Sequence, residues 1–185
     1  YYEVGVTYEK FGEYYTSRLT NANSPVYDLA SVIQVDSTTF TINKTTLGDA
    51  KNDGWIPKEG KTLEANSYQS QTLLMNKDDT SISLWFDVTG EDIDQARITG
   101  LSVYYTITKD GQEKGNYKYQ GITSQSTIQD VVDRLGEPAS LYIFHDAIEM
   151  SYQSDDSDVG FTLTYDYDKE KHTEKLDHIV ISYRK

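Results

Sequence analysis

The sequence predicts an α+β fold built from two copies of one unit, each a short capped helix followed by an antiparallel meander of three or four strands. Two observations predict it: one helical segment occurs twice, at 45–57 and 126–138, and stretches of alternating hydrophobicity follow both copies. The 16 tyrosines also favour strands, because aromatic side chains suit a pleated, half-buried surface. We expect an N-terminal strand and connector at 1–36, a first unit at 37–110 and a second unit at 111–185.

The two helical segments align without a gap and carry the same start signals. Thr46 and Thr127 are suited to cap the helix N-terminus, and each has an aspartate three residues later that completes a capping box. The second copy places four apolar residues on one helix face, at Ile128, Val131, Val132 and Leu135. Gly136 then ends this helix, whereas Gly54 arrives one position earlier in the first copy and predicts a shorter helix there.

Seven stretches predict the strands of the two meanders, and in four of them, at 82–88, 101–105, 161–167 and 179–183, apolar residues recur at every second position. They lie at 72–76, 82–88, 101–105, 141–145, 148–152, 161–167 and 179–183. Residues 2–8 alternate in the same way and predict a further strand, while the rest of the segment up to Asp36 stays unassigned. The alternation therefore predicts antiparallel strands that each turn one face toward a core.

Charge and composition exclude several classes of protein. The chain has 17 basic and 30 acidic residues, and its formal charge of −13 repels a phosphate backbone, so we expect no nucleic-acid partner. The lack of cysteine excludes disulfides, thiolate metal sites and cysteine nucleophiles. No apolar run approaches the roughly 20 residues of a membrane span. Because the chain starts at Tyr1 without a signal-like segment, membrane attachment is expected only through a lipid anchor absent from this chain.

The residues typical of catalysis are not arranged in a recognisable motif. A hydrolase needs a nucleophile, a base and an orienting group. The histidines of the chain are His145, His172 and His178. None of them lies in a nucleophile motif, so we expect no enzymatic activity and no cofactor. Asp155, Asp156 and Asp158 offer the oxygen donors that calcium prefers, but a polar turn is expected there anyway, so the calcium site stays open and no metal is assigned.

Four aromatic residues are the candidate binding residues. Trp85 and Tyr104 fall out of phase with the apolar faces of their strands, so their rings would point away from the core and form an aromatic platform. Tyr142 and Phe144 would do the same on the sheet of the second unit. Such rings anchor a protein partner or stack on a sugar. The alternative is that they pack beneath the N-terminal segment or between the two units.

Residues 121–138, GITSQSTIQDVVDRLGEP, resemble the repeat of the β-lactamase-inhibitory-protein family and of outer-membrane lipoproteins of the SmpA/OmlA type. The pattern, which extends over roughly 38–185, also resembles tandem domains of Gram-positive lipoproteins. The resemblance implies an extracytoplasmic module, secreted or at the cell surface, that is not an enzyme and binds a protein or a cell-envelope component. A carbohydrate- or peptidoglycan-binding module that uses the aromatic platform is the alternative.

Overall fold

The computed structural model describes residues 2–3, 29–67, 69–107, 113–144, 146–153, 157–168, 170–171 and 173–184. The α+β class is confirmed, because these residues form helices together with two largely antiparallel sheets and a short two-stranded ladder. The α-helices of the described residues are α1 (Leu47–Asn52) and α2 (Ile128–Leu135). Two 3₁₀ turns span Lys58–Gly60 and Ile93–Gln95.

Both α-helices begin as the sequence predicts, with a threonine in a capping box. The Thr46 hydroxyl accepts a hydrogen bond from the backbone N–H of Asp49 at 3.1 Å, and the Asp49 carboxylate accepts one from the backbone N–H of Thr46 at 2.9 Å. Thr127 and Asp130 repeat this arrangement at 3.2 and 2.8 Å. The first helix has six residues and the second eight, so the first is shorter, as predicted. Gly136 ends α2 with φ at 81°, which a residue with a side chain rarely adopts.

The larger sheet has nine strands in the order β1-β12-β13-β14-β15-β7-β6-β5-β4. Their bounds are β1 Tyr2–Glu3, β4 Ile56–Pro57, β5 Gln71–Lys77, β6 Thr80–Asp87, β7 Arg97–Tyr104, β12 Ser140–Ile143, β13 Ala147–Gln153, β14 Val159–Asp168 and β15 Thr173–Tyr183. Each of the seven predicted meander strands overlaps one of these strands. Of the strand predicted at 2–8, residues 2–3 form β1, which pairs parallel to β12, and residues 4–8 lie outside the described residues.

The two meanders join at the centre of this sheet. Strands β7 and β15 pair antiparallel there, with Val103 opposite Ile179. The structure therefore corrects the expectation that Tyr142 and Phe144 belong to a separate sheet: Tyr142 lies on β12 of the same sheet that carries Trp85, and Phe144 follows directly after it.

The smaller sheet has four strands in the order β11-β10-β2-β3. Their bounds are β2 Val32–Val35, β3 Thr38–Thr41, β10 Tyr117–Tyr119 and β11 Ile122–Thr123. Two further strands, β8 (Thr106–Ile107) and β9 (Glu113–Lys114), pair with each other. Alternation of hydrophobicity does not predict the smaller sheet, and β2 falls within the segment up to Asp36 that it leaves unassigned.

One face of the larger sheet packs against the helices and the smaller sheet. Along β6 every second residue is buried, as a strand with one face on a core requires. Buried tyrosines connect the two layers: the Tyr152 hydroxyl donates a hydrogen bond to the carbonyl of Gly136 at 3.0 Å, and the ring of Tyr119 lies 4.1 Å from that of Phe161. We refer to the opposite face of the larger sheet as the open face.

Candidate functional site

Two rows of residues cross the middle of the open face. The register places the members of each row directly opposite one another on neighbouring strands, so their side chains share this face. The first row is Thr72, Trp85, Gly100, Ser182, Gly160 and Gln153. The second row is Leu74, Ser83, Ser102, Val180, Thr162, Ser151 and Ser140. None of these residues is charged, and we call the two rows together the neutral patch.

The lack of charge on the neutral patch is unusual for this chain. Charged residues make up 25% of the sequence, so about three are expected among the thirteen positions, of which Gly100 and Ser102 are buried and the others are half-buried or exposed. Small hydroxyl side chains occupy seven of the positions instead. Depletion of charge together with aromatic residues distinguishes the centre of a protein interface from ordinary surface.

Trp85 lies in the first row of the neutral patch and is half-buried. Its six-membered ring covers Gly100, because a Cβ at that position would lie 2.6 Å from Cζ3 of Trp85 and closer still to Cε3. The indole therefore requires glycine at this position, although the backbone conformation does not. Part of the indole remains accessible on the open face.

Tyr104, at the end of β7, is 54% exposed and stacks on the imidazole of His178, with 4.5 Å between the ring centroids and 30° between the planes. His178 is held in turn by two polar contacts. Its Nδ1 lies 3.0 Å from Oδ2 of Asp177, and its Nε2 lies 3.4 Å from Oγ1 of Thr164. Because these contacts orient the imidazole, the Tyr104 ring rests on a fixed surface and is preorganised for a contact at the margin of the neutral patch.

The four candidate aromatic residues lie at separate points in and around the neutral patch. Trp85 and Tyr104 are on neighbouring strands, but Trp85 opposes Gly100, four positions before Tyr104, so about 13 Å separates them along the strands. Tyr142 is 36% exposed on β12, four strands from Tyr104, a lateral distance of about 19 Å. Phe144, just after β12, is 42% exposed. These rings can contact one large partner, but they do not form one continuous stacking surface.

Asp177, His178 and Thr164 have the connectivity of the carboxylate, imidazole and hydroxyl groups of a hydrolase. Sequence motifs do not reveal this arrangement, because Thr164 is brought to the other two residues only by strand pairing. Thr164 lies in the interior of β14, at a shift of register against β15, and not on a turn that would aim several backbone amides at an oxyanion. We therefore infer that the arrangement orients Tyr104.

Several carboxylates lie close together on and beside β15, the strand that carries His178. Burial raises the pKa of the Asp166 carboxyl, and the nearby carboxylates of Asp177 and Asp146 raise it further. Burial also raises the pKa of the Tyr117 phenol, with a further contribution from Asp177, and the Tyr117 hydroxyl has no hydrogen-bond partner among the described residues. These groups lie outside the neutral patch, so they bear on stability more than on binding there.

No family model matches the chain, and searches of curated proteins and of solved structures return no match. The relation of residues 121–138 to the β-lactamase-inhibitory-protein repeat therefore stays a prediction. Within the described residues, no group of three or more histidine, aspartate or glutamate side chains is placed to hold a metal ion. No helix in the same part of the chain is long and apolar enough to cross a membrane.

Several residues weighed in the sequence lie outside the described residues. These are Asp155 and Asp156 of the calcium hypothesis, together with His145 and His172. The third carboxylate of that hypothesis, Asp158, is exposed and directly precedes β14. The calcium site at these residues therefore stays a hypothesis, and no metal is assigned to it.

Proposed function

We propose that this protein is a non-enzymatic interaction module that binds a protein partner through the open face of its larger sheet. The observation that carries the proposal is the neutral patch, which lacks charge in a chain with a net charge of −13. Charged side chains resist desolvation, whereas hydroxyl groups can exchange water for hydrogen bonds with a partner, and aromatic rings gain from burial. The patch therefore has the composition of an interface centre.

The dimensions of the neutral patch fit the centre of a small interface. Seven strands spaced by about 4.8 Å make it roughly 29 Å wide. Each outward position on a sheet covers about 33 Å², so the patch measures on the order of 430 Å², about half of the roughly 800 Å² that each partner contributes to a standard interface. Tyr104 and Tyr142 at the margin extend it and are the residue type that often dominates binding energy.

We also propose that the chain consists of two copies of one unit: a hairpin, a capped helix and a four-stranded meander. The strand order supports this proposal. The larger sheet runs from β12 to β15 and then from β7 back to β4, and the smaller sheet runs from β11 and β10 to β2 and β3. A rotation of 180° about an axis between β15 and β7 would exchange β12 to β15 with β4 to β7, and β10 and β11 with β2 and β3. In this arrangement the first unit begins at β2, and strands of both units contribute residues to the neutral patch.

We place the module outside the cytoplasm, secreted or at the cell surface on a lipid anchor. The support is the resemblance of residues 121–138 to lipoprotein repeats. Proteinase treatment of intact cells that express the full-length gene product tests this location: digestion of the module without lysis is expected, and protection until the envelope is broken would contradict a surface location.

A charge placed in the centre of the neutral patch tests the proposed binding surface. Val180→Glu and Ser182→Glu each add a carboxylate on β15, whereas the control Thr39→Glu adds one at an exposed position of β3 in the smaller sheet. The immobilised proteins are compared for retention of cell-envelope proteins, with circular dichroism melting to confirm the fold. We expect the control to retain as much partner as the wild type does. Each patch variant should retain at least about tenfold less. Equal retention by all folded variants would refute the proposed surface.

A carbohydrate- or peptidoglycan-binding role is the second candidate, and the position of Trp85 favours it. A half-buried indole with one part accessible offers a surface on which a sugar ring stacks. In this case Trp85→Ala abolishes retention on insoluble peptidoglycan or polysaccharide, while Phe144→Ala, at a distant exposed ring, leaves it unchanged. Unfolding of Trp85→Ala would assign the ring to packing, and the sugar-binding hypothesis would then be withdrawn.

A further inference from the structure

A cleft of about 400 Å³ opens where β6 ends and β7 begins. Its walls are the loop between these strands, the turn after β3 and the end of β15. This volume lies at the lower end of the range for small-molecule sites, so an occupant has to be small. The cleft adjoins the neutral patch but consists of different residues, so it forms a separate site.

Two opposite charges stand side by side in this cleft. Asp87 and Arg97 lie directly opposite each other on β6 and β7, and both are exposed. Opposite charges at such positions usually attract each other across the sheet. In this cleft neither side chain forms an ion pair or a hydrogen bond with any described residue. With Asp92, an exposed carboxylate that accepts a hydrogen bond from the backbone N–H of Asp94, the cleft presents one guanidinium and two carboxylates, of which Arg97 and Asp87 are uncommitted.

Hydrogen-bond donors line the same cleft. Asn43, Gln95 and Tyr183 are lining residues, and none of the three has a side-chain hydrogen bond within the described part of the chain. An arginine guanidinium binds a carboxylate through two parallel hydrogen bonds, and a neighbouring phenol or amide adds a third. Arg97 thus supplies the paired donors suited to one carboxylate, and the cleft lining holds further donor residues.

We propose that this cleft binds a free amino acid through its α-amino and α-carboxylate groups, with Arg97 on the carboxylate and Asp87 on the ammonium. Charge favours a zwitterion over the other small ligands. A simple anion is repelled by the net charge of −13, and a simple cation is attracted to acidic groups over the whole surface. A neutral ligand with separated charges matches the Asp87–Arg97 pair specifically, because both of its ends must be satisfied at once.

Titration of the ¹⁵N-labelled protein followed by amide chemical shifts tests this site. The probes are free glycine, serine and glutamate at low salt, with N-acetylglycine and glycinamide as analogues that lack the ammonium or the carboxylate. We expect saturable shifts around Asp87 and Arg97 with the amino acids, at millimolar concentrations. Each analogue should bind about fivefold more weakly, which is the effect of one solvent-screened ion pair.

Two variants and two matched controls complete the test. Arg97→Gln and Asp87→Asn should each weaken amino-acid binding about fivefold, whereas Lys118→Gln and Asp36→Asn, at exposed positions of the smaller sheet and its first hairpin, should not change it. All four substitutions change exposed side chains, so the fold is retained. Lack of a saturable shift up to about 50 mM amino acid, equal binding of N-acetylglycine and glycine, or full binding by both cleft variants would each overturn the proposal.

Discussion

Gly100→Ala is expected to displace the Trp85 indole and to lower stability only while that indole is present. An alanine Cβ at this position would lie 2.6 Å from Cζ3 and 2.9 Å from Cδ2 of Trp85, well inside van der Waals contact. The backbone of Gly100 does not have a positive φ and accepts alanine. The loss of stability therefore comes from overpacking alone, which is about 1–3 kcal/mol.

A double-mutant cycle isolates this contact. Wild type, Gly100→Ala, Trp85→Ala and the double variant are unfolded in urea, and their free energies of unfolding are compared. Without the indole, alanine at position 100 should be neutral or stabilising by about 0.5 kcal/mol, because glycine loses more backbone entropy on folding. The expected coupling between the two positions is thus about 1–3 kcal/mol.

Gly160→Ala is the matched control, since Gly160 lies in the same row two strands away. An added Cβ there would lie 3.2 Å from Cδ of the flexible Arg184 side chain, so we expect a change within about 0.5 kcal/mol. Tryptophan emission gives a second readout: it should shift to the red in Gly100→Ala as Trp85 leaves the sheet, while the fully buried Trp55 keeps its emission. Equal effects of Gly100→Ala with and without Trp85 would refute the proposed contact.

Two further predictions concern polar groups of the core and its edge. Asp53→Asn should lower the free energy of unfolding at neutral pH by about 0.5 kcal/mol or less, because the Asp53 side chain is 47% exposed and solvent screens its pair with Lys77. Hydrogen bonds from Thr38 and Lys77 lower the pKa of Asp53 in the folded state. The carboxylate therefore contributes its full stabilisation above the ordinary pKa of about 3.9 and loses it as the pH falls through the lower folded pKa. A difference in urea midpoint between Asp53→Asn and wild type that persists at the lowest pH would contradict this prediction. Tyr117→Phe should be neutral or stabilising by up to about 1 kcal/mol in thermal or urea unfolding, because it removes a buried hydroxyl without a described partner. A loss of more than about 1 kcal/mol would instead show that this hydroxyl is hydrogen-bonded.

The helices could be predicted because all of their signals are local. Thr127 and Asp130 lie three residues apart and form the same capping box in any context that permits a helix. The smaller sheet could not be predicted, because its strands have only two to four residues and are too short to show alternation. The joining of the meanders was missed for another reason: the pairing of Val103 with Ile179 connects distant parts of the chain and leaves no local pattern.

The phase of each strand was sufficient to find exposed aromatic rings. Among the described residues, the most exposed large apolar or aromatic side chains include Tyr104, Tyr142 and Phe144. Trp85 is less exposed than these three, because its ring rests on Gly100. The neutral patch could not be predicted from the sequence, because each row combines residues from strands that are far apart in the chain. Only the register shows that Ser83, Ser102 and their neighbours meet without a charge between them.

The composition of the neutral patch also bears on why two meanders join in one sheet. Strands β5 to β7 contribute six of its thirteen positions and strands β12 to β15 the other seven, so either meander alone would offer on the order of 200 Å². That area is far below what a stable interface buries on each partner. The two halves also differ, because Trp85 and Tyr104 lie in the first meander, whereas the central rows of the second contain no aromatic ring. A partner that covers the joined sheet therefore contacts an aromatic half and a hydroxyl-rich half, and it can bind in only one of the two orientations that a symmetric sheet would allow.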